Sequence, residues 1–377
     1  MPAGLTSFLA WPDSELEELI NETDGADLPA PRTAGSLVLL TSGTTGTPKG
    51  APRQVRSPLV AAQFLDRIPL RRNESTYLAA PTFHGTALTQ LILTFAMGST
   101  AVLRRRFDAR ATLAGVAAHR CTALVVVPTM LRRIMDLPEE IRAEYDTSSL
   151  RVLFSAGSAL GADLGNRATA AFGPVIHNLY GSTEVAIATI ATPRDWRAAP
   201  GTVGKPPCGC RVRLYDEAGN RVTEAGRQGR IFAGSSLTFS GYSGGGTKES
   251  IEGLLSTGDV GHFDERGLLF VDGRDDDMIV SGGENVFPGE IEELLAARDD
   301  VIEAAVIGVP DEEFGQRLRA FVVLHPGVQP DAELLRAHVK AHLARYKVPR
   351  EVIFLDELPR NATGKVFRHE LTEKGSQ

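Results

Sequence analysis

The sequence predicts an α/β protein of two unequal units: a large N-terminal unit, a parallel α/β layer with a small β subdomain, and a small α+β C-terminal unit. Three observations carry this. Apolar strand-like runs alternate with amphipathic stretches from Gly35 to about Asp275, the region Gly201–Tyr242 is instead rich in short β runs around turns, and the pattern changes again near Asp276.

In chain order, residues 1–34 are expected to be an N-terminal remnant or linker, with Ser14–Thr23 an acidic helix. Residues 35–275 form the main unit. Its parallel strands are expected at Leu37–Leu40, Ala123–Val127 and Val152–Phe154, and its helices at Pro58–Ile68, Ala87–Ala96 and Asp163–Phe172. Arg211–Tyr215 and Gly229–Ala233, around the turn Asp216–Asn220, fit a small antiparallel or barrel subdomain. Residues 276–377 form the last unit, with strands at Met278–Val280, Ala304–Ile307 and Ala320–Leu324 and helices at Pro288–Ala297 and Asp331–Tyr346. The second of those helices opens with Asp and Glu and ends with Lys and Arg, matching the helix dipole.

The 377 residues are 42% hydrophobic and 23% charged, ordinary globular composition, so the chain has enough apolar material for a large core. A net charge of −7 with both signs interspersed argues against nucleic acid or an anionic membrane as partner. No apolar run approaches the roughly 20 residues that span a bilayer, and the N-terminus lacks a leader pattern, so a cytoplasmic protein is expected. Cys208-Gly-Cys210 has the look of half a metal site, but no second pair follows at ligand spacing, and unpaired thiols in a reducing compartment are the simpler reading.

Thr41-Ser-Gly-Thr-Thr-Gly-Thr-Pro-Lys-Gly50 follows a buried-strand run and has the composition of an anion cradle: glycines let backbone N–H groups converge, while hydroxyls and Lys49 add donors. Its Lys is not followed by Ser or Thr, so it is not the loop of kinases and GTPases. Tyr180-Gly-Ser-Thr-Glu184 follows the run Val175–Leu179, at a strand end, where open sheets bind ligands; an aromatic ring there can stack a base and a carboxylate can hold Mg²⁺. Ser256-Thr-Gly-Asp259 and Gly273-Arg-Asp-Asp-Asp277 supply an acceptor for ribose hydroxyls and a rigid donor, or simply a salt-bridged hairpin. Ser281-Gly-Gly-Glu-Asn285 and Pro359-Arg-Asn-Ala-Thr-Gly-Lys365 complete the set, the latter placing Lys365 on a loop tip.

These elements, in this order, resemble the acyl-activating adenylating superfamily: acyl-CoA synthetases, adenylation domains of peptide synthetases and firefly-type luciferases, over roughly Gly35 to Leu371. The resemblance implies ATP, Mg²⁺ and coenzyme A as cofactor and co-substrates, a small-molecule carboxylic acid as partner, and a mobile C-terminal domain; a homo-oligomer is compatible with it. Carried over by motif, Thr41, Ser42, Gly43, Thr44, Thr45, Gly46 and Lys49 would hold the β- and γ-phosphates, with Gly157 and Gly181 also beside the nucleotide. Tyr180 would pack on adenine, Thr183 contact the α-phosphate and Glu184 bind Mg²⁺, while Asp259 and Arg274 take the ribose hydroxyls. Lys365 would bridge the substrate carboxylate and the α-phosphate, Gly282 and Gly283 would line the thiol's path, and Asp276 would be the hinge.

In Pro81-Thr-Phe-His-Gly85, amino-acid-activating relatives carry Asp where this chain has His84, which argues against an α-amino acid. His84 would sit at the acyl pocket wall, or cap the following helix. The small apolar run Val185–Ile190 suggests an alkyl or aryl channel and hence a fatty or other hydrophobic acid. Most relatives carry a large region before the phosphate loop, which here begins at Thr41. An acyl-CoA ligase is the favoured reading. An acyl-AMP ligase serving a carrier protein, an o-succinylbenzoate-type ligase and a truncated nucleotide-binding fragment stay open.

Overall fold

The computed structural model describes residues 21–22, 37–41, 49–53, 60–82, 85–239, 241–242, 246–275, 277–281, 284–311, 314–360, 366–368 and 370–371. In chain order these form β1 (Leu37–Thr41), β2 (Lys49–Arg53), α1 (Val60–Leu65), β3 (Ser75–Leu78), α2 (Gly85–Ala96), β4 (Thr100–Leu103), α3 (Ala109–Ala118), β5 (Ala123–Val126), α4 (Pro128–Met135), α5 (Glu139–Ala143), β6 (Val152–Ser155), α6 (Ala162–Phe172), β7 (Ile176–Tyr180), β8 (Thr189–Ala191) and α7 (Pro193–Ala198). A β-rich stretch follows: β9 (Arg211–Tyr215), β10 (Arg221–Val222), β11 (Gly229–Gly234), β12 (Ser250–Ile251), β13 (Leu254–Phe263) and β14 (Leu269–Arg274). The C-terminal part holds β15 (Ile279–Ser281), β16 (Glu284–Val286), α8 (Pro288–Ala296), β17 (Val301–Asp311), β18 (Gly315–Leu324), α9 (Ala332–His342) and β19 (Glu351–Phe354).

The first large sheet has the order β4-β3-β5-β6-β7-β8 and is parallel except where β8 runs against β7. Side chains alternate between its faces, and both faces are covered, so its strands read as near-continuous apolar runs. On one face Leu124, Val126, Leu153 and Ile176 pack on Leu113 and Val116 of α3, Leu131 and Ile134 of α4, Leu164 of α6 and Trp196 of α7. On the other, Val125, Phe154, Leu179 and Ile190 pack on Phe64 of α1 and Ala87 and Leu93 of α2. Gly165 allows α6 to approach Trp196, because an added Cβ would lie 2.0 Å from the indole ring. α3 is capped by Asp108, which accepts from the Ala111 N–H at 2.7 Å, and α7 opens with a Thr192/Asp195 capping box and Pro193. Arg67 ties these layers together, pairing with Asp195 and donating to the Ile190 carbonyl at 2.8 Å.

The second sheet, β10-β9-β11-β13-β12 with β14 on β13, is antiparallel throughout, as the turn-rich sequence predicts. The third, β16-β15-β18-β17 with β19 parallel to β18, packs Val306, Leu318, Ala320 and Val322 on Ile291 and Leu295 of α8 and Leu335 and Val339 of α9.

One strand departs from expectation. Leu37–Thr41 does not join the parallel layer; it pairs antiparallel with β2, Thr41 opposite Lys49. Lys49 is therefore the first residue of a strand, not a loop residue. The acidic helix expected over Ser14–Thr23 lies outside the described residues apart from Asn21 and Glu22, which are helical.

Candidate functional site

β7 delivers Tyr180 at its C-terminal end, on the edge of the parallel sheet where strand ends leave a crevice. The chain then folds back on itself: the Ala186 N–H donates to Ser182 O and the Ala188 N–H to Tyr180 O, both at 2.9 Å. Ala186 takes a left-handed φ of +65° to do so. Gly181 is required by close approach, since a Cβ there would lie 2.1 Å from the Ala186 carbonyl oxygen. The β13–β14 hairpin of the second sheet brings Asp259 and Arg274 opposite each other in register.

These residues meet. The Tyr180 hydroxyl donates to Asp259 Oδ2 at 2.5 Å, and Arg274 Nη1 donates to Asp259 Oδ1 at 3.3 Å. The Asp259 side chain is 12% exposed and that of Arg274 36%, so the acid is sheltered while the guanidinium reaches solvent. Burial pushes the Asp259 carboxyl up, against the opposing pull of Tyr180, Arg274 and Lys248. Burial, then the Asp259 charge, push the Tyr180 phenol well above its ordinary value, so the proton stays on the phenol. The hairpin is thus salt-bridged, and its carboxylate also faces the strand-end tyrosine.

Glu184 is held separately. Tyr242 OH donates to Oε1 at 2.7 Å and Ser182 Oγ to Oε2 at 2.9 Å, while the Phe239 N–H donates to the Glu184 carbonyl at 2.8 Å. Burial alone would raise this carboxyl, but Tyr242, Ser182 and Lys248 outweigh it and hold it below the usual carboxylate range. Each oxygen accepts one named donor and retains acceptor capacity. A single ionised carboxylate with spare lone pairs suits Mg²⁺, which takes one or two carboxylates and completes its shell with water and phosphate. Among the described residues no group of three or more His, Cys, Asp or Glu could hold a metal by itself.

Of the other residues read from the sequence, Thr183 lies in the turn between Tyr180 and Glu184, and Gly157, with φ +97°, follows β6 on the same edge of the sheet. Thr41 and Lys49 are a register pair of β1 and β2. Ser42, Gly43, Thr44, Thr45, Gly46, His84, Asp276, Gly282, Gly283 and Lys365 lie outside the described residues. On either side of position 276, Arg230 Nε reaches Asp275 Oδ2 at 3.1 Å, and Arg368 Nε lies 3.6 Å from Asp277 Oδ2. Among the described residues, the run Val185–Ile190 borders packed side chains: Val185 and Ala188 pack with Phe239 and Leu255, and Ile187 and Ile190 with Phe154 and Leu179. Tyr242, Ser182 and Lys248 are the site residues that the sequence did not disclose. Cys121, Cys208 and Cys210 are free thiols, and burial pushes Cys210 up to about 12. Among the described residues no helix is long and apolar enough to cross a membrane.

A model of the AMP-binding enzyme family matches residues 7–243, and one of the AMP-binding enzyme C-terminal domain matches residues 290–365. The chain belongs to the AMP-binding enzyme family, whose chemistry is adenylate formation, and within it to the acid–thiol ligase class. It is 35% identical to a 2-succinylbenzoate–CoA ligase of Bacillus pumilus, over 90% of this chain and 68% of that protein. It is equally, 35%, identical to an indoleacetate–CoA ligase of Aromatoleum aromaticum, over 98% of this chain and 74% of that one. The crystal structure of ATP-bound MatB from Rhodopseudomonas palustris superposes with a TM-score of 0.80 at 32% identity, covering 89% of this chain and 67% of the other.

Proposed function

We propose that this chain activates a carboxylic acid with ATP and passes the acyl group to coenzyme A. The observation that carries the reading is the convergence of Tyr180, Asp259 and Arg274 beside an ionised Glu184. Tyr180 would pack on adenine, Asp259 and Arg274 would hold the ribose, and Thr183 would touch the α-phosphate. Glu184 would hold Mg²⁺, which when bound neutralises phosphate charge. The substrate carboxylate oxygen attacks the α-phosphorus, the bond to the bridging oxygen breaks, and pyrophosphate leaves. Two anions must meet in that step, so positioning and cationic charge do most of the work, with Lys365 the bridging cation. The coenzyme A thiolate then attacks the acyl carbon, and the bond to AMP breaks.

A change of surface between the two steps would turn at Asp276. Asp275 is anchored to the core by Arg230 and by its N–H to Gly258 O at 2.9 Å, whereas Asp277 is paired with Arg368, which also grips Glu292 of α8. Rotation at the residue between them leaves both anchors intact.

For the acid, we propose an apolar-bodied, non-amino carboxylic acid. The sheet reverses its order between β3 and β5, and the chain carrying Pro81–Gly85 leaves at that switch point, which makes His84 a candidate for the pocket wall. A relative acting on indoleacetate and another on 2-succinylbenzoate fit that class. Free thiols fit a cytoplasmic location. The test is pyrophosphate release with ATP, Mg²⁺ and a panel of acids, with and without coenzyme A, beside Lys365→Ala. Acid-dependent release that collapses in the variant supports the reading; folded protein that releases none across the panel overturns it.

A further inference from the structure

Lys248 sits where the second sheet crosses the site. Ser250 pairs with Leu255 in the β12–β13 register, and the Ser256 N–H donates to Glu249 O at 2.8 Å, which sets residue 248 alongside the turn Thr257-Gly-Asp259. Glu249 is locked in turn by Arg230, whose Nη1 lies 3.3 Å from its Oε1. A Cβ placed on Gly258 would lie 3.2 Å from Arg274 Nη2 and 3.6 Å from Lys248 Nζ, so two cations converge over the glycine that precedes Asp259. The charge of Lys248 reaches both Glu184 and Asp259.

Both carboxylates already have donors of their own. Glu184 accepts from Tyr242 and Ser182, and Asp259 from Tyr180 and Arg274. Among the described residues Lys248 closes no ion pair with either. An ammonium has three N–H donors and is strongly hydrated, so one fixed near two carboxylates yet bonded to neither is placed for a third anion. On the reading above, Asp259 takes the ribose and Glu184 the metal. In a metal-bound nucleotide, the anion that lies between ribose and metal is the phosphate on the 5′ carbon.

We infer that Lys248 is a further nucleotide-binding residue, donating to the phosphate attached to the ribose. The inference rests on the nucleotide reading of the site, and its test separates the two. Calorimetry would measure AMP and adenosine binding to the wild-type chain, K248M and K248R, with folding checked by thermal unfolding. Loss of a charge-assisted hydrogen bond raises the AMP dissociation constant about tenfold or more in K248M. Adenosine, which has the ribose but no phosphate, is bound within about twofold of wild type, and K248R recovers most of the AMP affinity. K248Q, which keeps length and polarity, is the substitute should K248M fail to fold. Equal weakening of AMP and adenosine would assign Lys248 to holding Asp259 in place and overturn the inference. Unchanged AMP binding in the variants would overturn it too. A wild-type chain that binds neither ligand would overturn the nucleotide reading and, with it, this one.

Discussion

Gly181→Ala puts the site's architecture under the sharpest test. An added Cβ would stand 2.1 Å from the Ala186 oxygen, 3.0 Å from its carbonyl carbon and 3.3 Å from Ile187 Cα. Backbone atoms cannot rotate aside as a side chain can, so the turn must open by about 1 Å. Overpacking of that kind costs about 1–3 kcal/mol, and loss of the Ala186–Ser182 and Ala188–Tyr180 hydrogen bonds adds about 1 kcal/mol each, for a total of about 3–5 kcal/mol. The same opening moves Tyr180 and Glu184 apart, and misplacement by about 1 Å costs on the order of a hundredfold in rate. Urea unfolding would read the first effect and acid-dependent ATP–pyrophosphate exchange the second. Gly289→Ala is the control, because a Cβ there meets nothing within 4 Å, and its effect stays within about 1 kcal/mol. If Gly181→Ala matches wild type in both assays, the Ala186 carbonyl is free to swing and the turn does not set the spacing of the site.

Two further outcomes follow from charge and burial. Tyr242→Phe removes a donor from Glu184, so burial is less opposed and its pKa rises; the acidic limb of the exchange rate moves to higher pH, and an unmoved limb counts against Glu184 as the titrating group. His177 is buried in β7 with Nδ1 against Val175 O at 3.0 Å, and burial pushes it down to about 4. The folded state thus favours neutral imidazole: this contribution is present above the unfolded pKa of about 6.5 and is lost as pH falls toward 4, about 3 kcal/mol in all. Unfolding free energy measured from pH 7 to 4 should fall by that much less in His177→Gln than in wild type, and parallel curves would sink the assignment.

Much of the fold is legible because period and composition agree. β5, β6, α6 and the β18 strand lie within a few residues of their expected positions, since each is apolar on the faces that the layer buries. The β1–β2 hairpin is not legible. Lys49-Gly-Ala-Pro-Arg53 has neither alternation nor β-branched residues, and backbone pairing to β1 makes it a strand regardless.

The site divides along the same line. Tyr180, Asp259 and Arg274 are singled out by their motifs, and the structure brings the three together: Tyr180 ends β7, while Asp259 and Arg274 are register partners across β13 and β14. Tyr242 and Lys248 come from a stretch around Gly241–Gly246 with no period at all; the pairing of β12 with β13 brings Lys248 beside Asp259, and the Phe239 N–H to Glu184 O bond with the Phe239–Tyr242 ring contact brings Tyr242 to Glu184, contacts that composition does not encode. The run Val185–Ile190, expected to face a channel, is packed core among the described residues. Small apolar residues suit a ligand channel and a packed core equally well, and the two are separated by the backbone: the left-handed Ala186 turns the run inward, against Phe239 on one side and Phe154 on the other.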